Sequence, residues 1–330
     1  MKLPILTIVV PCYNEEEVFE ETYKQLKEIL RDLIDEKYVS NTSKLLFVND
    51  GSKDSTWEKI TQAYLQDDSV HGIKLARNFG HQKALLAGLE DAVTYSDCVI
   101  SIDADLQDDV QVIKEFVIKY LEGYDVVYGV RDSRETDTAF KRSTALGFYR
   151  LMDKLGLPLV NNHADYRLLS KRALEALLQF KETHLFLRGI VPLVGFKSTK
   201  VYYDRKERLA GESKYPLKKM LSFAFDGITS FSIKPIRLIT VLGFSASFIS
   251  LLAAIYVLYQ KFATDTVSGW ASVMISIWFI GGLLLMSIGL IGEYIGKIYE
   301  EVKQRPRYIV EESLFHESKV DQYMKQKVFE

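Results

Sequence analysis

The sequence predicts an α/β protein in which a doubly wound, mainly parallel sheet is followed by amphipathic surface helices and a two-helix transmembrane hairpin. Strand-like and helix-like patterns alternate over residues 1–130, as successive right-handed β-α-β crossovers require. Residues 5–10 form an apolar run, which is typical of a strand that is buried on both faces. Residues 238–260 and 266–292 contain no charged side chain, and about 20 apolar residues are enough to cross a bilayer.

The elements of the sheet domain follow from local patterns along the chain. The first helix, over residues 15–35, carries apolar residues at helical spacing, among them Val18, Leu26 and Ile29. The strands are predicted at residues 5–10, 44–48, 72–75, 98–102 and 125–130. The remaining helices are predicted at residues 54–65, 81–93 and 109–121. Beyond these elements, residues 139–204 are expected to continue as helices and connectors.

The patterns divide the chain into four predicted segments. They are a cytosolic domain at residues 1–216, an amphipathic helix at 217–233, two transmembrane helices at 234–292, and a second amphipathic helix with a tail at 293–330. The first amphipathic helix precedes a membrane span, which favours the membrane surface over the core of the soluble domain. A buried hairpin in a soluble protein is the alternative for the two uncharged stretches, and their length disfavours it.

The flanks of the hairpin predict its topology. Basic residues surround its outer ends, whereas the loop between its helices offers only Lys261, beside Asp265. The positive-inside rule therefore places both termini in the cytoplasm and the short loop outside. The N-terminal apolar run is too short for a signal peptide and is broken by Pro11. We expect a multi-pass protein of the inner membrane that forms homo-oligomers through its two spans.

Composition and motifs argue against several functional classes. The net charge of −2 disfavours a nucleic-acid-binding protein, which usually has a basic excess. Two cysteines are too few for a disulfide framework. No G-x-G-x-x-G follows the first strand and no P-loop motif is present, which disfavours a dinucleotide oxidoreductase and an NTPase. The five histidines lack the spacing of metal ligands and are interpreted singly as structural or surface residues.

The strongest local signal is a pair of carboxylates after the fourth strand. Asp103 and Asp105 stand two residues apart where a doubly wound sheet binds ligands, at the carboxyl ends of its strands. Two such carboxylates predict a site for Mg²⁺ or Mn²⁺, which prefer oxygen ligands and often bridge substrate phosphates. A solvated acidic turn is the alternative, and the preceding apolar strand makes it the weaker one.

Two further polar clusters follow the first two strands. Tyr13 and Glu15 follow the first strand and are candidates to stack on a base and to accept hydrogen bonds from a ribose or base. Asp50 follows the second strand and is a candidate to bind a base N–H or a ribose hydroxyl. The alternatives are a helix N-terminus formed by Asn14 and Glu15 and a turn at Asp50. Together, three polar clusters on neighbouring strand ends predict a nucleotide site.

The sequence resembles the family 2 inverting glycosyltransferases in four segments, at residues 8–16, 48–52, 103–108 and 164–168. Residues 77–82 and 211–215 are similar to the polyprenyl-phosphate branch, which includes dolichyl-phosphate mannose synthase and the bactoprenol glucosyltransferases. The resemblance implies a GT-A type nucleotide-sugar fold, and two C-terminal spans fit the bactoprenol type. A processive polysaccharide synthase is disfavoured because no Q-x-x-R-W motif occurs.

The resemblance also implies roles for individual residues. The nucleotide-sugar would be held by Pro11, Tyr13, Glu15, Asp50, Asp103, Asp105 and Gln107. The metal would be held by Asp105 and Gln107, with Asp103 beside them. The acceptor phosphate would be met by Arg131, Arg142, Arg205, Arg208, Ser213 and Lys214. Asp165 would lie near the sugar, and the residue one turn after Arg142 is Leu146 where the family often has a serine.

The expected reaction is the inverting transfer of one hexose, glucose from UDP-glucose, to undecaprenyl phosphate. The same chemistry with GDP-mannose and a membrane-anchored nucleotide-sugar scaffold without turnover are the alternatives. A lipid phosphate has a second pKa of about 6 and is already anionic near neutral pH, so it has little need of a base. Of the predicted catalytic residues Asp165, Arg131 and Asp105, the first is therefore expected to act by positioning or electrostatics, ahead of proton abstraction.

Overall fold

The computed structural model describes residues 2–131, 163–182, 187–204 and 269–315, together with residues 236, 239–245, 248–249, 251–252 and 255–256. The chain forms two compact units. The first unit contains the described residues up to 204 and those from 306 onwards, and the second contains the described residues between 236 and 305.

The first half of the sheet domain confirms the predicted alternation. Its elements are β1 (Leu6–Cys12), α1 (Phe19–Asp35), β2 (Lys44–Asn49), α2 (Thr56–Gln66), β3 (Val70–Leu75), α3 (His81–Ala92) and β4 (Cys98–Ser101). Strand β1 pairs in parallel with β2 and β4, and β2 pairs in parallel with β3. Strand β1 is buried along its whole length, as its apolar run predicts.

The second half differs from the prediction of helices and connectors over residues 139–204. Its elements are α4 (Val112–Leu121), β5 (Val126–Arg131), β6 (His163–Ser170), α5 (Lys171–Leu177), α6 (Leu187–Ile190), a 3-10 turn (Val191–Val194) and β7 (Ser198–Tyr203). The prediction is wrong for β6 and β7, which are strands. Strand β6 inserts antiparallel between β4 and β5, and β7 pairs in parallel with β5. The sheet is therefore mixed.

The far edge of the sheet is formed by the C-terminal part of the chain. Strand β8 (Val310–Leu314) pairs antiparallel with β3, which gives the order β7-β5-β6-β4-β1-β2-β3-β8. Just before it, Arg307 and Tyr308 both bind the carboxylate of Glu90 on α3. The sequence predicts only a surface helix and a tail over residues 293–330, so this strand is an addition.

Helix α3 lies close against the sheet because of one glycine. A Cβ atom on Gly88 would lie 2.4 Å from Cγ1 of Val9 and 2.9 Å from Cγ2 of Val48, so only a residue without a side chain allows this approach. The N-terminus of α3, with His81 and Gln82, is thereby held near the carboxyl ends of β1 and β4.

The second unit contains one long helix, α7 (Trp270–Val302). Within the described part of the chain, the segment Phe279–Val302 is the one candidate membrane span, with a mean hydropathy of 1.7. Helix α7 continues past the predicted end of the span at residue 292, so the expected second amphipathic helix is part of the same continuous helix. The predicted amphipathic helix at 217–233 lies outside the described residues. Of the predicted first span, residues 239–245, 248–249, 251–252 and 255–256 are described, and they are helical.

Candidate active site

The candidate site lies where the carboxyl ends of β1, β2, β4 and β5 meet, as predicted for a sheet of this type. The loops after β1 and β2 are tied together by reciprocal hydrogen bonds. Oδ1 of Asn14 accepts from the backbone of Lys53 at 2.9 Å, and Oε2 of Glu16 accepts from N and Oγ of Ser55 at 3.0 and 2.7 Å. These bonds hold open a cavity of about 450 Å³ that is lined by residues 14–18, Lys53 and Asp54.

The three nucleotide candidates in and just after β1 differ in their exposure and in their relation to this cavity. Pro11 is buried within the strand, whereas the side chain of Tyr13 is 42% exposed and presents a ring on which a base can stack. Glu15 lines the cavity, and its carbonyl oxygen accepts from the backbone of Phe19 at 2.9 Å. Helix α1 begins at Phe19, four residues after the predicted start at residue 15.

Asp50 is buried and holds the loop that precedes α3. Its Oδ1 accepts from the backbone N–H of Phe79 at 2.7 Å, and its Oδ2 accepts from that of Gly80 at 2.9 Å. Burial raises the pKa of Asp50, and the two backbone donors oppose that rise. The predicted nucleotide ligand is thus also the residue that fixes the position of His81, because Asp50 anchors the backbone immediately before it.

The D-x-D loop after β4 presents oxygen ligands close together. Oδ1 of Asp105 accepts from the backbone of Gln107 at 3.2 Å, across a tight turn in which Leu106 has a φ of 53°. The side chain of Asp103 is 31% exposed. Partial burial, with the charges of Asp165 and the neighbouring acidic residues, raises the pKa of Asp103 to about 6 against the opposing effect of His81.

The oxygen atoms that this loop presents are chemically suited to bind a divalent cation. Two carboxylates and the amide oxygen of Gln107 are hard oxygen ligands of the kind that Mg²⁺ and Mn²⁺ prefer. Within the described residues, no group of three His, Cys, Asp or Glu side chains is arranged to hold a metal. A cation here would therefore need ligands from the substrate or from water besides Asp103, Asp105 and Gln107.

Asp165 is a buried carboxylate whose negative charge is balanced by two arginines. It lies in β6, and 4% of its surface is exposed. Its Oδ1 pairs with the guanidinium of Arg167, which is itself buried, and its Oδ2 accepts from Nε and Nη2 of Arg188 at 3.2 and 2.9 Å. Burial acts to raise the pKa of Asp165, but the two guanidinium groups hold it well below the ordinary range. Asp165 is therefore an anion near neutral pH and a weak base.

The N-terminus of α3 connects the D-x-D loop to Asp165. Nε2 of His81 lies 3.4 Å from Oδ1 of Asp103 and 3.9 Å from Oδ2 of Asp165. Nε2 of Gln82 donates to Oδ2 of Asp165 at 3.2 Å, and its Oε1 accepts from the backbone of Leu187 at 3.1 Å. His81 is exposed at the surface, which agrees with the interpretation of the histidines as structural or surface residues, and it lies between two predicted site residues.

Arg131 also reaches the site edge, held by a residue that the sequence does not single out. Asp108 accepts from Nε and Nη2 of Arg131 at 3.1 and 2.9 Å, and from the hydroxyl of Tyr203 at 2.6 Å. The side chain of Arg131 remains 25% exposed. The sequence also gives no signal for Arg188, because its partner Asp165 is 23 residues away in the chain. The remaining acceptor candidates, Arg142, Arg205, Arg208, Ser213 and Lys214, lie outside the described residues.

The arrangement combines an open nucleotide cavity, an oxygen-ligand loop and fixed cations along one sheet edge. Such a site can bind a nucleoside diphosphate group through a cation and hold the transferred group beside a permanent anion at Asp165. Arg131 and Arg188 offer guanidinium groups, which suit phosphate oxygens in planar, bidentate contacts. The chemistry that fits is displacement at a sugar carbon with a diphosphate as leaving group.

Comparisons with known proteins agree with this chemistry. The model of glycosyl transferase family 2 matches residues 7–178, and the model described as the GtrB C-terminal hairpin matches residues 234–298. The chain is 63% identical over 314 residues to an uncharacterized glycosyltransferase, YkoT, of Bacillus subtilis (strain 168), covering 95% of this chain and 93% of that protein. It is 39% identical over 310 residues to the SfII prophage-derived bactoprenol glucosyl transferase of Shigella flexneri, covering 93% and 98%. It is 38% identical over 307 residues to the prophage bactoprenol glucosyl transferase homolog of Escherichia coli (strain K12), covering 92% and 98%.

Proposed function

Because the chain belongs to glycosyl transferase family 2, we propose that it is a polyprenyl-phosphate hexosyltransferase with a GT-A type domain. It moves one glucose from UDP-glucose to undecaprenyl phosphate with inversion, releasing UDP at the cytoplasmic face of the inner membrane. The bactoprenol glucosyl transferases that are similar over most of the chain support this acceptor. The structural observation that carries the proposal is the juxtaposition of Asp103 and Asp165 across His81, at 3.4 and 3.9 Å.

The donor occupies the half of the edge formed by β1, β2 and β4. The base lies in the cavity lined by residues 14–18 and Asp54 and stacks on the exposed ring of Tyr13. Glu15 forms part of the cavity wall, and the buried Pro11 and Asp50 support the strand ends behind it. A divalent cation, when bound by Asp103, Asp105 and Gln107, offsets the negative charge that develops on the leaving diphosphate.

The acceptor phosphate enters from the half formed by β5, β6 and β7. It is already anionic near neutral pH, since phosphoesters have a second pKa of about 6, and it attacks the sugar without losing a proton first. Asp165 is a weak base because Arg167 and Arg188 hold its pKa well below the ordinary range. Its role is to position the sugar and to stabilise positive charge on it in the transition state.

The remaining basic residues reduce the repulsion between the donor diphosphate and the acceptor phosphate, which are both anionic. Arg131 contacts the lipid phosphate from the described part of the site, and Arg142, Arg205, Arg208, Ser213 and Lys214 complete the acceptor side. Helix α7 and a preceding span anchor the enzyme as a hairpin with both termini in the cytoplasm, and the spans associate into homo-oligomers. The apolar segment Phe279–Val302 supports the membrane anchor.

Release of UDP by the purified full-length protein tests the function. In detergent with Mg²⁺ or Mn²⁺, UDP-glucose should be cleaved rapidly only when undecaprenyl phosphate is added, with GDP-mannose as the competing donor. Asp105→Asn should abolish transfer, whereas the matched variant Asp109→Asn, four residues further along the same loop, should retain it. Donor binding without lipid-dependent release would identify a scaffold, and preferential use of GDP-mannose would replace the assigned donor.

A further inference from the structure

The buried carboxylate of Asp108 contacts two other residues near the site, Arg131 and Tyr203, through a single oxygen. The side chain of Asp108 is 1% exposed. Its Oδ1 accepts from Nε of Arg131 at 3.1 Å, from Nη2 of Arg131 at 2.9 Å and from the hydroxyl of Tyr203 at 2.6 Å. Its Oδ2 is buried and accepts no hydrogen bond from the described residues. All the hydrogen bonds that orient this carboxylate in the described part of the chain therefore act on one atom.

The sheet register explains why these residues meet. In the parallel ladder of β5 and β7, Arg131 lies opposite Tyr203, and both are the last residues of their strands. Asp108 comes from the other direction, at the end of the loop that carries Asp105 and Gln107. Tyr203 is followed by Asp204 and then by the segment 205–215, which contains four of the acceptor candidates.

The contact geometry leaves most of the guanidinium of Arg131 available. A guanidinium has five N–H donors in a planar fork, and Asp108 accepts from two of its nitrogen atoms through one oxygen. The hydroxyl of Tyr203 also interacts with this guanidinium, and the side chain of Arg131 is 25% exposed. The remaining N–H groups can donate to phosphate oxygens, and a fixed guanidinium plane favours the bidentate geometry in which Arg binds phosphate.

Tyr203 supplies that constraint through Asp108. Its ring is 5% exposed and packs edge-on against Tyr166 at 5.4 Å between centroids, so its hydroxyl has a fixed position. Without this hydroxyl, Oδ1 of Asp108 would keep only the two bonds from Arg131, and the pair would be free to rotate together. We propose that Asp108 and Tyr203 are positioning residues that set the orientation of Arg131 toward the acceptor phosphate, an inference that rests on the proposed function.

The test separates acceptor kinetics from donor kinetics in the full-length enzyme. Tyr203→Phe should raise the KM for undecaprenyl phosphate about tenfold, as expected when a hydrogen bond to a charged group that orients a ligand-binding residue is lost. The KM for UDP-glucose should change less than about twofold. The matched control is Tyr166→Phe, which removes a hydroxyl from the same aromatic cluster that donates to the backbone of Asp109 at 3.0 Å; it should leave the acceptor KM near that of the wild type.

A double-mutant cycle shows whether Tyr203 acts through Arg131. In an Arg131→Ala background, Tyr203→Phe should cause no further change in acceptor kcat/KM, because the residue that it orients is gone. Additive losses, equal effects of the two tyrosine variants, or equal shifts in donor and acceptor KM would each overturn the inference while leaving the proposed function intact. A wild-type enzyme that transfers no sugar to undecaprenyl phosphate would overturn the proposed function, and this inference with it.

Discussion

Asp50 and Asp165 are both buried carboxylates at the carboxyl edge of one sheet, but the two halves of that edge compensate their charge differently. Asp50, in the donor half, accepts hydrogen bonds from two backbone N–H groups, and burial raises its pKa. Asp165, in the acceptor half, pairs with the guanidinium groups of Arg167 and Arg188, which hold its pKa well below the ordinary range.

The difference fits what each half is proposed to bind. Neutral backbone donors fix the loop before α3 without adding positive charge, so on the donor side a divalent cation can supply the charge that a diphosphate needs. The acceptor half already carries cations, which reduce the repulsion when a second anion approaches. The arrangement supports a mainly structural role for Asp50 and the proposed role of Asp165 as a carboxylate that remains an anion during the reaction.

The largest effect is expected for Asp165→Asn. Arg167 is buried, and removing the charge of its partner leaves a cation without compensation, which costs about 3–5 kcal/mol of unfolding free energy. Denaturant unfolding in detergent measures this change, and sugar transfer should be lost as well. A destabilisation below about 1 kcal/mol would show that Arg167 does not depend on Asp165 for its charge balance.

A smaller loss is expected for Asp50→Asn, which keeps the shape of the side chain but replaces one accepting oxygen by a donor. One backbone N–H, of Phe79 or Gly80, then loses its partner, at a cost of about 1–3 kcal/mol. The same unfolding experiment compares the two variants directly. If Asp50→Asn proved as costly as Asp165→Asn, the proposed difference between the two halves would be wrong.

The smallest effect is the pH dependence of these two stability differences. The pKa of Asp165 is lowered in the folded state, so its contribution is full above the ordinary carboxyl pKa of about 3.9 and is lost below it. Between pH 5 and pH 3, the gap between wild type and Asp165→Asn should narrow by about 1 kcal/mol. The pKa of Asp50 is raised, so protonation favours the folded state and the gap to Asp50→Asn should widen. If the two stability differences changed in the same direction with pH, the opposite pKa shifts of Asp50 and Asp165 would be wrong.

The sequence predicts β1 to β5 well because buried parallel strands have long apolar runs. It indicates the D-x-D loop because the two carboxylates stand only two residues apart in the chain. It does not predict β6. The charged residues Asp165 and Arg167 are typical of a connector, but in the structure they form an ion pair inside the sheet. The partners Gln82 and Asp165 are 83 residues apart, and only the insertion of β6 beside β4 brings them together. No local sequence pattern indicates a contact between residues so far apart in the chain.

The central claim is that Asp165 acts as a fixed anion and not as a base, and the pH dependence of kcat/KM for undecaprenyl phosphate tests it most directly. We expect a rising limb with a midpoint at about pH 6, to which the acceptor phosphate and Asp103 both contribute. Asp165→Asn should lower the rate at every pH while this limb persists. Loss of the limb in this variant would show that Asp165 titrates during turnover, and it would contradict the claim.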